Sequence, residues 1–158
     1  MHDGISKNIK TGVVLVGVSV VLFLLGILVE TPTESARWVV TGFVASVEEE
    51  NVSAALEYLH DDVILIDDWR GMDQKGHHGV QESLEELYKR HTIQYNTILN
   101  THIFEGTDDV QVELYVFSRI SGIGSVPSHW RLLVHEGLDG KWVIYSIDAV
   151  EIAGKSYR

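Results

Sequence analysis

Apolar and polar positions change rhythm along this chain, and each rhythm predicts a different element. From Gly12 to Val29 there is no alternation: GVVLVGVSVVLFLLGILV is an 18-residue run without a charge. At 1.5 Å per residue such a helix spans about 27 Å, close to the hydrocarbon thickness of a bilayer. A cleaved signal peptide would need a shorter apolar core and a small-x-small cleavage site. The sequence that follows, Glu30-Thr31-Pro32-Thr33-Glu34, offers no such site. A helix buried in a soluble domain would carry a polar face, whereas this run has only Ser19 and three glycines. The reading is a single transmembrane helix over residues 11–30, between a tail (1–10) and a domain (31–158).

The second rhythm is helical. Thr31 can cap, Pro32 suits the first helical position, and Glu34 completes a capping box. Ala36, Val39, Val40, Phe43, Val44 and Val47 then recur at helical spacing, which predicts an amphipathic helix of about four turns. Asn51 or Ser53 caps a short second helix around Ala54–Leu59. Val63–Ile66 reads as a buried strand, Asp67–Gly79 as a polar loop, and Val80–His91 as a third helix. After that the period drops to two. Strands are predicted at 93–105, 109–120, 127–136 and 141–152, with turns at 106–108, 121–126 and 138–140. Helices early and a long meander late predict an α+β domain, a curved antiparallel sheet wrapped on three helices.

The order of these elements resembles the nuclear-transport-factor-2-like superfamily, its SnoaL-like branch most of all. The segments that carry the likeness are the first helix, then Val52-Ser53-Ala54-Ala55-Leu56-Glu57-Tyr58-Leu59-His60-Asp61-Asp62-Val63. Next come the helix opening at Gly79-Val80-Gln81-Glu82-Ser83-Leu84 and the stretch from Trp130-Arg131-Leu132-Leu133 to Lys141-Trp142-Val143-Ile144. The resemblance covers about residues 33–152. It implies a cone of bent sheet and helices around a pocket. It also implies either a pocket enzyme (isomerase, dehydratase, epoxide hydrolase or polyketide cyclase) or a non-enzymatic scaffold, and fold alone does not choose. Membrane-tethered domains of this kind also resemble assembly factors of type IV secretion.

Charge narrows the partners. The chain has a net charge of −11. Asp3, Lys7, Lys10 and Glu30 cancel within residues 1–30, so the whole excess lies on the domain. Such a surface repels phosphate backbones, which argues against nucleic acid as a partner. Lys7 and Lys10 precede the apolar run while Glu30 and Glu34 follow it. The positive-inside rule then puts the N-terminus in the cytoplasm and the domain outside the inner membrane, in the periplasm. Gly12, Ser19 and Gly26 form a narrow small-residue stripe that lets another transmembrane helix approach.

Candidate chemistry is sparse. No nucleophile elbow, P-loop, dinucleotide fingerprint or EF-hand loop occurs, and there is no cysteine. The acid–base candidates are Asp67, Asp68, His102, His129 and Asp148. Asp148 shares strand parity with Trp142, Ile144 and Ser146, and Arg131 on the neighbouring strand is its candidate partner. His102 and His129 would line a pocket if their faces point inward; parity leaves this open. His77-His78 with Asp67, Asp68 and Asp73 has poor spacing for a metal, so no metal or cofactor is expected. On strand 109–120 the even residues Val110, Val112, Leu114 and Val116 make the better core face. Tyr115, Phe117 and Arg119 then become candidates for an interface. These features point to an accessory or assembly subunit docking on integral membrane subunits, or pairing with itself, through the sheet. The alternative is a tethered pocket enzyme or ligand binder with Asp148 or His129 as acid–base.

Overall fold

The computed structural model describes residues 31–66 and 73–156. The apolar run and its stripe of Gly12, Ser19 and Gly26 lie outside the described residues, as do Asp67 and Asp68. Among the described residues no helix is long and apolar enough to cross a membrane.

Residues from Pro32 onward form one compact unit. It opens with α1 (Pro32–Glu48), which starts at the proline and carries Glu34 in its first turn. A short α2 (Val52–Leu56) follows, capped by Asn51, whose Oδ1 accepts from the Ala54 amide at 3.1 Å. Then come β1 (Leu59–Ile66), a two-residue β2 (Gln74–Lys75) and α3 (Gly76–Arg90). The rest is β3 (Ile93–Glu105), β4 (Val110–Ile120), β5 (Gly124–Glu136), β6 (Trp142–Ile152) and a short β7 (Lys155–Ser156). α3 begins a turn earlier than the apolar spacing suggests, because the first turn is polar and polar residues leave no mark in that spacing.

Strand order is β2-β1-β6-β5-β4-β3, with β7 added on β6. The meander β3 to β6 is antiparallel, as its turns require. β1, however, lies parallel to β6, with Ile64 opposite Ser146 and Ile66 opposite Asp148. The sheet is therefore mixed, which corrects the antiparallel expectation. With β2, α3 and three strands between it and β6 in the chain, β1 has no hairpin to dictate its direction.

One core joins the sheet to the helices. Ala36, Val39 and Val40 of α1 and Val80 of α3 share one cluster with Leu59 and Val63 of β1, Val110, Val112, Leu114 and Val116 of β4, and Leu132, Val134, Ile144 and Ile147 beyond. Phe43, Trp130 and Trp142 pack against the same cluster. The even face of β4 is thus the core face. Its odd face points away from the helices.

Candidate functional site

Registry on that outer face brings the charged candidates together. β4 sets Glu113 opposite His102 of β3 and Arg131 of β5, and sets Tyr115 opposite His129. β6 sets Asp148 opposite Arg131. The result is a row across four strands.

Arg131 is its centre. Its Nη1 donates to Asp148 Oδ2 at 3.3 Å, and its Nε lies 3.5 Å from Glu113 Oε1. The other Glu113 oxygen lies 3.5 Å from His129 Nε2. The side chains of Glu113, His129, Arg131 and Asp148 are only 17–24% exposed, although no described helix covers them. They shield one another. The contacts of His129 Nε2 and Arg131 Nε with Glu113 are attractive by charge but not aligned as hydrogen bonds, and both atoms are buried without a hydrogen-bond partner. Gln111 Nε2 donates to Glu113 Oε1 at 3.3 Å.

Aromatic rings extend the row toward solvent. Tyr115 stacks on His129 with ring centroids 4.2 Å apart and planes at 12°. His102 meets Tyr115 edge-on at 6.0 Å, and Asn100 Nδ2 lies 2.9 Å from His102 Nε2. Tyr115 is exposed, Phe117 half-buried between Thr97 and Pro127, and Arg119 exposed with Nη1 donating to Ser125 Oγ at 3.0 Å.

The sequence candidates therefore separate as follows. His102, His129 and Asp148 share the outer face with Tyr115 and Arg119, so none lines the space between sheet and helices. For Asp148 this reverses the expected company of Trp142 and Ile144. The register shifts between Leu133 and Val134, leaving Tyr145 as an extra residue in β6. One extra residue inverts the parity of everything after it, so Asp148 faces away from Ile144. His77 opens α3, with Nε2 3.1 Å from the Leu59 carbonyl, and His78 lies 3.3 Å from Glu82. Among the described residues no three His, Cys, Asp or Glu side chains are placed to hold a metal ion. A polar cleft of about 520 Å³ lies along α3 between Gln74, Glu82, Glu85, Lys89 and Arg90.

A second cluster was not singled out in the sequence. His135 stacks on Tyr145 at 4.6 Å and meets His60 edge-on at 5.3 Å. Tyr145 donates its hydroxyl to Asp109 Oδ2 at 2.8 Å. Burial, then the hydrogen bond and the charge of Asp109, push the Tyr145 hydroxyl up to about 12. His135 Nε2 is buried without a hydrogen-bond partner. Only the displaced residue of β6 brings Tyr145 here, and no local sequence signal announces that displacement.

No family model matches the chain, and no curated protein matches it in sequence. Solved structures do match. A protein of unknown function with a cystatin-like fold from Nostoc punctiforme superposes with a TM-score of 0.60 at 16% identity, over 73% of this chain and 86% of that one. A protein from Catenulispora acidiphila in complex with S-DNPA gives 0.60 at 14% identity, over 73% and 90%. An NTF2-like protein of unknown function from Pseudomonas putida gives 0.62 at 9% identity, over 72% and 82%. The domain from Pro32 onward thus has the NTF2-like fold, with its mixed sheet and three helices.

Proposed function

We propose that the chain is a membrane-anchored accessory subunit. In this reading the apolar run 12–29 tethers it, and the outer sheet face docks it on a partner protein. The observation that carries the reading is the row from His102 to Asp148, on a sheet face that no described helix covers. Tyr and Arg are the residue types enriched at contact surfaces, and here Tyr115 stacks on His129 of the ion network while Arg119 stands exposed further along the same strand face. Pairing of two copies through the same face is the narrower form of the idea.

A tethered pocket enzyme draws less support. The neighbour from Catenulispora acidiphila holds S-DNPA, so the fold accommodates ligands. In this chain Phe43, Trp130 and Trp142, each partly buried, pack against the core, and Asp148 and His129 lie across the sheet from it.

The test is purification of the full chain from native membranes in gentle detergent, with mass spectrometry of what travels with it. A stoichiometric membrane protein that is lost in Tyr115→Ala/Arg119→Glu supports docking through the sheet. A lone monomer overturns it, and ligand screening against Asp148→Asn becomes the next step.

A further inference from the structure

One end of the domain gathers the turns 106–109 and 137–141, the start of β1 and the start of α1. Thr33 Oγ1 donates to the Glu105 carboxylate, which ties α1 to the end of β3. The Ile144 amide donates to the Tyr58 carbonyl at 2.9 Å, and Lys141 Nζ to the Glu57 carbonyl at 2.7 Å. Two large apolar side chains project from this end. Leu138 at the tip of the β5–β6 turn is fully exposed, and Trp38 on α1 is 72% exposed, touching Tyr58 edge-on at 6.2 Å. Moving an indole and a leucine out of water is favourable in proportion to the apolar area removed.

This is also the end at which the chain arrives. Val29, the last residue of the uncharged run, stands three positions before Pro32. We infer that Trp38 and Leu138 seat this end of the domain on the interfacial layer of a bilayer, a second lipid contact beside the anchor. The inference rests on the membrane anchor proposed above. An indole ring settles at the headgroup level, where its apolar body and N–H are both satisfied. The lipid is zwitterionic: around Trp38 and Leu138 the sequence carries Glu34, Glu57, Asp108 and Asp139 against Arg37 and Lys141, so anionic headgroups are repelled. The far end, with the turn 121–123 and Glu48-Glu49-Glu50, then points into solvent.

The experiment uses the full chain reconstituted in phosphatidylcholine vesicles, with and without bromine on the acyl chains near the headgroup. Trp38→Phe, an exposed and conservative change, isolates the Trp38 emission by difference from that of the other tryptophans. Flotation with the vesicles after an alkaline carbonate wash reads the anchor separately. Flotation together with bromine quenching of the Trp38 component, weakened by Leu138→Asp, supports the seating. Flotation with Trp38 emission unquenched overturns the seating and leaves the anchor standing. Loss of the chain from the vesicles overturns both.

Discussion

Arg131 holds two carboxylates at once, Glu113 and Asp148, in a layer where each is less than one-fifth exposed. Removing it leaves two like charges with little water to screen them. Arg131→Met should therefore cost about 1–3 kcal/mol, below the figure for a fully buried pair because the sheet face still meets solvent. Urea unfolding checks this, and a midpoint equal to the parent's would mean the network is only decorative. Arg131 and Asp148 were readable as a pair from adjacent strands; the Glu113 and His129 contacts were not, since they depend on side-chain reach. Two tyrosines make a separate prediction. Burial and then the nearby Glu50 charge push Tyr88 up to about 12, and Tyr145 is raised to the same level. Unfolded tyrosine ionises near 10, so between about pH 10 and 12 the unfolded chain releases protons that the folded chain keeps. Stability is full below pH 10 and falls through that window. Tyr88→Phe and Tyr145→Phe should each flatten the fall seen by circular dichroism, and an unchanged slope in both would refute the assignment.

At the level of elements, α1 meets the α2–β1 corner by close approach. A Cβ added at Gly42 would come within 2.5 Å of the Tyr58 ring. Helix propensity alone predicts that Gly42→Ala stabilises by up to about 1 kcal/mol. Crowding of a packed ring predicts a loss of roughly 1–3 kcal/mol, and the short distance makes the loss the expected outcome. Tyr58→Leu in the same chain should recover most of it. Thermal melts of the two variants decide, and a stabilised Gly42→Ala would show that the ring swings aside at no cost. The same scale explains what was legible. α1 and the four meander strands announced themselves because each runs for at least eleven residues with apolar positions recurring along it. β1 running parallel to β6 did not, because β2, α3 and three strands lie between the two and no residue within β1 sets its direction. Asp148 was placed on the wrong face for a related reason: alternation assumes an unbroken strand, and the bulge at Tyr145 breaks it.

The whole molecule carries 23 acidic against 12 basic residues, and the surplus of −11 belongs to the domain after residue 30. Two effects of salt oppose each other here. Screening weakens exposed attractions such as Lys89–Glu85 and Arg90–Glu86, each worth a few tenths of a kcal/mol. It also relieves repulsion among carboxylates that neighbour one another along the chain, as in Glu48-Glu49-Glu50 and Asp61-Asp62. The Glu113–Arg131–Asp148 network lies under partial cover and is screened least. With acidic residues about twice as numerous as basic ones, relieved repulsion should win. Raising sodium chloride to about 0.5 M, where the Debye length is well under 10 Å, should raise the melting temperature of the full chain in detergent. Chloride is the right salt because sulfate would strengthen apolar burial as well. A fall in melting temperature would mean that the ion pairs, and not the net charge, govern the electrostatics. The docking face would then have to be judged by its local pairs.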